Sequence, residues 1–532
     1  MISPTVAGKH RRAAWWEPAG RDRIVAKRKE LAVATENTAA PARTQGAGIR
    51  GIEVRSIDWI PDTERHGKVW HQAPLWFLGN FQYFTIPIGF IGPAFGLSLV
   101  WTIVAGTVGI LIGTCFMALH ATQGPTLGLP QMIQSRAQFG YRGVIVALFA
   151  MLFTYMAFNI ADQVLLAQGL HGAFGWNANL VAIVVTVGAA LLAIYGYDWV
   201  HRIFRWTLYI LLPLVAVITI GIITGAAGGV VSHHVYGFNW TGFMAQLSAA
   251  AAYNITYAGY VSDYSRYLPR NTPRGKIIGY VFAGAATPAI WLIALGAWLA
   301  ISLGATDGLV GLQTAGNNIV SHLGGITGFL SAFALAATMG MNAYGAMLTT
   351  LAGVDSFRKV NTTRAARVIT IVILTVIWFV IGKLITTSAV GVVDTVLTLM
   401  LYLLVPWTVT NLIDFFFVRH GHYSIIDIFK PNGIYGVWSY RGLVAYAVGF
   451  AAEIPFMVLL NLVTLKSYYT GPLASDLNSV DISWIVGAVV TGVTYWLLTR
   501  NLDVAKERAA IDASEAELRR IDVATAPEPG DA

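Results

Sequence analysis

Apolar runs long enough to cross a bilayer recur twelve times along the chain, at roughly 73–95, 97–120, 143–170, 179–196, 204–225, 241–262, 277–303, 323–350, 367–384, 390–417, 441–464 and 482–500. A spanning helix needs about 20 predominantly apolar residues. The pattern therefore predicts an all-α integral membrane protein with twelve transmembrane helices. The first two runs meet around Phe95-Gly96 with almost no polar linker, which predicts a tight helical hairpin. Residues 1–72 read as a polar N-terminal tail. The charged segment 501–532 reads as a short exposed helix ending at Pro527 and Pro529. The segment with Pro130, Gln131 and Gln134 reads as a short cytoplasmic helix between the second and third spans.

Composition changes the picture in one respect: it removes the soluble alternative. Of the 532 residues, 56% are hydrophobic and 12% charged, with a mean hydropathy of +0.60. A soluble domain carries about 25% charged residues. Cys115 is the single cysteine, so an intrachain disulfide and a cysteine metal cluster are excluded. It reads as a small buried hydrophobe. No apolar signal core precedes residue 50, so the first span is expected to direct insertion.

The net charge of +8 follows from loop asymmetry rather than from nucleic-acid binding. One set of loops carries Arg136, Arg142, Arg202, Arg205, Arg266, Arg270, Arg274, Lys276, Arg358, Lys359, Arg364, Arg367, Arg419, Lys430 and Arg441; the other carries Lys383 and Lys466. The positive-inside rule puts the basic loops and both termini in the cytoplasm of a plasma-membrane protein. Arg266, Arg270, Arg274 and Lys276 are expected to anchor on lipid headgroups at about 1 kcal/mol each. The basic stretch 9–29 with Trp15 and Trp16 reads either as a lipid-surface segment or as disorder.

Two spans are interrupted. The first holds Gly79, Asn80, Gln82, Pro87 and Gly89; the sixth holds Tyr253, Asn254, Tyr257 and Gly259. Unwound backbone inside a membrane protein is tolerated where it lines a site, although packing glycines give a similar pattern. Carboxylates at depth are costly. Asp162 in the third span is a candidate proton carrier or acceptor for a substrate N–H. Glu453 reads as structural, Asp394 lies in the tenth span, and Asp263 and Asp414 read as interfacial partners of Arg266 and Arg419. A flat heterocycle needs an aromatic face and in-plane donors and acceptors. Gln82, Phe158, Asp162, Tyr253, Asn254 and Asn342 offer these. Enzyme motifs such as His-Glu-x-x-His or a phosphate-binding loop are absent from the sequence, and its one close histidine pair is His233-His234. No metal or cofactor is expected.

The chain resembles the nucleobase-cation-symport-1 family of permeases for cytosine, purines, uracil, allantoin, hydantoins and thiamine, over about residues 55–442 and more weakly beyond. The resemblance rests on Asp62-Thr63-Glu64-Arg65-His66-Gly67, on Gly128-Leu129-Pro130-Gln131 through Gly143, on Ser262-Asp263-Tyr264-Ser265-Arg266-Tyr267, and on Asp414-Phe415-Phe416-Phe417-Val418-Arg419 with Asp427 and Gly433-Ile434-Tyr435. It implies a five-plus-five inverted repeat (73–225 and 241–417), broken helices one and six, two extra helices (441–500) and alternating access. It also implies that Gln82 contacts substrate, that Phe158 replaces a stacking tryptophan and that Asp162 replaces an amide. Tyr253 or Asn254 stands at a second tryptophan position, and Asn342 matches a helix-eight asparagine. Sodium-coupled members use carbonyls at the positions of Leu78, Phe81 and Ala337. Their two helix-eight hydroxyls fall at Gly340 and Met341, with Thr338 two residues earlier. The resemblance implies a symporter taking a nucleobase with a coupling cation, and the missing hydroxyls favour a proton. Thiamine, a hydantoin or allantoin, or an amino acid remain alternative substrates.

Overall fold

The computed structural model describes residues 58–195, 197–229, 236–358, 363–385, 387–461 and 466–525, with the side chains of 197–205, 461 and 466 left aside. Segment 9–29 with Trp15 and Trp16, His233-His234, Lys359, Pro527 and Pro529, and the side chains of Arg202, Arg205 and Lys466 lie outside the described residues.

The first span is three short helices, α1 (Gln72–Asn80), α2 (Thr85–Ile88) and α3 (Ile91–Ala94). Pro87 and Pro93 supply no N–H to a helical ladder, and the backbone reopens before each piece. The second span is α4 (Leu99–Ala121), followed by α5 (Gln123–Leu127), α6 (Gln131–Gln134) and α7 (Arg136–Phe139). Next come α8 (Ile145–Phe174), α9 (Ala178–Tyr195) and α10 (Tyr197–Ile223). The sixth span is α11 (Trp240–Tyr257) and α12 (Val261–Ser265), broken at Ala258-Gly259-Tyr260. Then follow α13 (Arg274–Ser302), α14 (Gly308–Ile319), α15 (Leu323–Asp355), α16 (Arg364–Leu384) and α17 (Ala389–Ile413), which ends in a π-helical turn, Asp414–Val418. After α18 (Ile425–Ile428) the last spans are α19 (Tyr440–Glu453) and α21 (Ser483–Thr499), separated by β1 (Val458–Asn461), β2 (Lys466–Thr470) and α20 (Pro472–Asp476). The terminal helix is α22 (Val504–Thr525). Among the described residues, eight helices are long and apolar enough to cross a membrane. The broken spans and the two last ones complete the set of twelve.

The spans pack as two groups. The first, second, sixth and seventh lie together, and the third, fourth, eighth and ninth form the other. Small residues let backbones approach. A Cβ on Gly109 or Gly113 of α4 would overlap the Leu247 or Ala251 carbonyl of α11. A Cβ on Gly296 of α13 would overlap the carbonyl of Ile86 in α2.

On the basic face, the expected short helix between the second and third spans is three pieces, α5–α7, which form a buried polar layer. Gln131, Gln134 and Arg136 are buried. Gln131 Nε2 donates to Gln123 Oε1 at 2.8 Å, Gln123 Nε2 to Asn411 Oδ1 at 2.6 Å, and Gln138 Nε2 to Asp414 Oδ2 at 2.7 Å. These amides tie the loop to the end of α17.

Several expectations need correction. The eleventh span stops at Glu453, because Pro455 ends the helix and Val458–Asn461 pairs antiparallel with Lys466–Thr470. Helix α14 had no counterpart in the apolar pattern; Asp307 caps it by accepting from the Leu309 and Val310 N–H groups at 2.8 and 3.2 Å. Cys115 is exposed on the outside of α4, not buried. Asp414 does pair with Arg419, at 2.6 Å, but fully buried rather than interfacial. Arg266, expected at the lipid headgroups, is instead buried and donates to the carbonyls of Asp263 and Asp58, while Asp263 Oδ1 accepts the Gln131 N–H at 2.8 Å.

The terminal helix is neither short nor free. Ile511, Ser514 and Leu518 are buried, and Leu518 joins an apolar cluster with Leu129, Ile133 and Tyr435. Glu507 meets Arg419 in a two-pronged pair at 2.9 Å on both sides. Hydrogen bonds to charged groups contribute about 1.5–3 kcal/mol each. Glu507→Gln is therefore expected to speed tryptic cleavage at Lys506 and Arg508 by roughly tenfold to a hundredfold. Unchanged cleavage would show that the apolar face alone holds α22.

Candidate substrate and cation site

The break in the first span leaves the last carbonyls of α1 without helical partners. Side chains of α11 and α2 satisfy them. Tyr257 donates its hydroxyl to the Gly79 carbonyl at 2.8 Å, and Thr85 Oγ1 donates to the Asn80 carbonyl at 2.9 Å. Thr85 Oγ1 also lies 2.9 Å from the Tyr253 hydroxyl, which is 3.2 Å from that of Tyr257. Asn80 Nδ2 reaches the Ala285 carbonyl of α13 at 3.0 Å. The two broken spans are thereby stitched to each other at mid-depth.

Aromatic rings close this junction. Phe84 stacks on Tyr253 with ring centroids 5.8 Å apart and planes 16° apart, and meets Phe158 edge-on at 5.1 Å. Phe158 and Asp162 are one helical turn apart on α8, so they share a face. Asp162 is 1% exposed, its Oδ1 has no hydrogen-bond partner, and it lies within electrostatic reach of Tyr253 and Tyr257. A buried carboxylate oxygen without a donor is costly to keep, which marks the group as one that takes a partner. Phe84 and Thr85 were not singled out from the sequence, and Tyr257 was noted only as part of the interrupted sixth span. The signal was present in the aromatic and hydroxyl residues next to the predicted breaks.

The structure brings Gln82 and Thr338 together: the Thr338 hydroxyl donates to Gln82 Oε1 at 3.0 Å, and also lies 3.2 Å from the Ala334 carbonyl of its own helix. Asn342 follows Thr338 by one turn on α15 and is half-buried. Asn254 is not part of this group. Its Nδ2 donates to Thr114 Oγ1 of α4 at 2.6 Å, so it serves the contact between the second and sixth spans. The adjacent Tyr253, pointing the other way around the helix, is the residue that faces the junction.

The side chains at the positions expected to offer sodium their carbonyls are apolar. Leu78, Ala337, Leu192 and Met341 pack into one apolar cluster. The Phe81 N–H caps α1 on the Phe77 carbonyl at 2.8 Å, and its ring contacts Phe77 and Trp291. Gly340 faces away, towards Leu192 and the Ala189 carbonyl of α9. Thr338 is the hydroxyl nearest this region in sequence, and it is engaged with Gln82.

Gln82→Ala removes an in-plane acceptor and donor and leaves Thr338 without its cross-span partner. We expect substrate affinity to fall by about fivefold to a hundredfold, from the roughly 1–3 kcal/mol cost of leaving a buried polar partner unsatisfied, with membrane abundance little changed. Equal uptake at equal abundance would exclude Gln82 from the site.

Residues 59–487 match the family described as permease for cytosine/purines, uracil, thiamine, allantoin. The putative purine-cytosine permease YxlA of Bacillus subtilis (strain 168) is 35% identical over 455 residues, covering 84% of this chain and 96% of that protein. The fold is shared with the transporter Mhp1. Its inward-facing form superposes with a TM-score of 0.64 at 17% identity, covering 86% of this chain and 95% of the other. Its closed, bromovinylhydantoin-bound form gives 0.61 at 17% identity, with 84% and 94% covered. The five-plus-five architecture with broken first and sixth spans is therefore the fold of this protein, and the chain belongs to the nucleobase-cation-symport-1 family of permeases for cytosine, purines, uracil, thiamine and allantoin.

Proposed function

We propose that the protein imports a nucleobase of the cytosine or purine type across the plasma membrane together with a proton, with both termini in the cytoplasm. The observation that carries this reading is Asp162, a fully buried carboxylate with an unpartnered oxygen beside Phe84, Phe158 and Tyr253. The rings supply a stacking face for a flat heterocycle. When protonated, the carboxyl group presents one O–H donor and one carbonyl acceptor, which is the complement of the donor–acceptor edge of a nucleobase. Substrate and proton then bind at one contact and reinforce each other.

Proton rather than sodium coupling is supported by Gly340 and Met341, which stand at the two hydroxyl positions and carry no hydroxyl. A hard cation wants several oxygen ligands, and a glycine and a thioether supply no side-chain oxygen. The name of YxlA, a putative purine-cytosine permease, supports the substrate class. The loop asymmetry supports the orientation.

A second reading is favoured by the same carboxylate. An ionised Asp162 among aromatic rings would suit a cationic heterocycle such as thiamine. Uptake of labelled cytosine in competition with unlabelled purines, pyrimidines, hydantoins, thiamine and amino acids separates the two. Inhibition by nucleobases alone supports the proposal; inhibition by thiamine alone replaces it with the second reading.

A further inference from the structure

A second polar pocket lies near the end of α17 away from the basic loops. It encloses about 30 Å³ of water-accessible volume between α11, α17 and the β1–β2 hairpin. Its polar wall consists mainly of Asp394, Thr398 and Tyr402 of α17, Ser248 of α11, and Asp481 and Trp484 at the start of α21. A space of this size holds one or two water-sized bodies. It is too small for a heterocycle.

The two carboxylates differ in how they are held. Asp481 is fixed. Its Oδ1 accepts from the Ser483 N–H at 2.9 Å and the Ser483 hydroxyl at 2.6 Å; its Oδ2 accepts from the Val458 N–H at 3.0 Å and from the Tyr402 hydroxyl. Asp394 is 8% exposed and lines the cavity, and among the described residues its carboxylate makes no hydrogen bond. It lies within electrostatic reach of Asp481. No lysine, arginine or histidine lines the cavity. From α19, Glu453 adds a third carboxylate within reach of Asp481, with both oxygens buried and unpartnered. The phenol of Tyr402 is the remaining titratable group of the wall, and α11 contributes none to it. Trp484 Nε1 donates to Ser248 Oγ at 2.9 Å, which leaves that oxygen's own lone pair for the cavity.

Two buried carboxylates facing one small space without a cation are strongly unfavourable. The wall offers hard oxygen donors from carboxylates and hydroxyls and no nitrogen or sulfur ligand, the donor set of a hard cation. We propose that this pocket binds one small monovalent cation, sodium or hydronium, between Asp394 and Asp481. The site is distinct from Asp162 and from the apolar cluster around Ala337, and it uses none of the substrate contacts.

The test uses the purified full-length protein in lipid nanodiscs. Thermal unfolding is followed as sodium chloride replaces choline chloride at constant ionic strength, and separately in choline as the pH is lowered. Direct binding of radioactive sodium accompanies the first arm. A saturable rise in Tm with sodium assigns the site to sodium, and a rise only on acidification assigns it to the proton. In either case Asp394→Asn is expected to weaken the half-saturating concentration by about tenfold or more. Thr398→Val, which deletes one hydroxyl from the wall, is expected to weaken it by a smaller factor and carries the test if Asp394→Asn does not fold. Responses identical to wild type in these variants, or no response to either cation in the wild type, would overturn the proposal.

Discussion

Asp162→Asn is expected to abolish proton-driven accumulation while substrate still binds and equilibrates across the membrane. An amide and a protonated carboxyl have nearly the same volume, and each presents one acceptor and at least one donor. The carboxyl offers its donor only with a proton on it; the amide offers one at every pH. Wild-type affinity should therefore weaken by about tenfold per pH unit once the carboxyl loses its proton in the free protein, and one proton should enter with each substrate. The variant should bind with a flat pH profile and release or take up none. Calorimetry in two buffers of different ionisation enthalpy reads the proton count directly. A wild-type pH profile in Asp162→Asn would remove Asp162 as the carrier. Loss of binding at every pH would instead mean that the charge itself holds the substrate, as the cationic-heterocycle reading requires.

Gly296→Val is expected to have the largest effect on folding. Gly296 of α13 lies so close to α2 that an added Cβ would overlap the Ile86 carbonyl, and Gly89 stands in the same relation to the Ile293 carbonyl. The obstacle is backbone rather than a flexible side-chain tip, so it cannot swing aside. Overpacking a well-filled core costs about 1–3 kcal/mol and sometimes more. Here the element displaced is the broken first span, which carries Phe84 and Thr85. Little monodisperse protein should be recovered, and what remains should bind substrate poorly. Gly188→Ala provides the contrast. A Cβ there meets nothing within 4 Å, and replacing a helix-interior glycine is favourable by about 0.5–1 kcal/mol. If both variants behave alike, the close approach of α13 to the first span is not what positions the site.

How much of this was legible in the sequence depends on where each residue's partners lie. Span positions follow from apolar runs, and the breaks at 81–84 and 258–260 follow from prolines, glycines and polar residues close in sequence. Asp162 stood out because a lone carboxylate in an apolar run is anomalous whatever surrounds it. Asn254 did not separate from Tyr253 in sequence, since neighbouring residues on a helix point about 100° apart. Only packing showed that Asn254 serves Thr114 while Tyr253 meets Phe84. Thr85 and Phe84 were passed over because their role depends on carbonyls freed by the break, a long-range consequence that composition does not carry. The terminal helix read as exposed from its charges. Its buried stripe of Ile511, Ser514 and Leu518 recurs at helical spacing, but the partner surface comes from four separate loops. The strand Val458–Asn461 was hidden because a short apolar strand and a short apolar helix look alike in hydropathy.

The proposed function has a proton, rather than sodium, drive nucleobase uptake. The most direct measurement is accumulation of radiolabelled cytosine in proteoliposomes, with an inward proton gradient or an inward sodium gradient imposed separately. Accumulation above equilibrium is expected with the proton gradient in sodium-free buffer, inhibited by unlabelled nucleobases and lost in Asp162→Asn. Accumulation driven by the sodium gradient and indifferent to the proton gradient would contradict it.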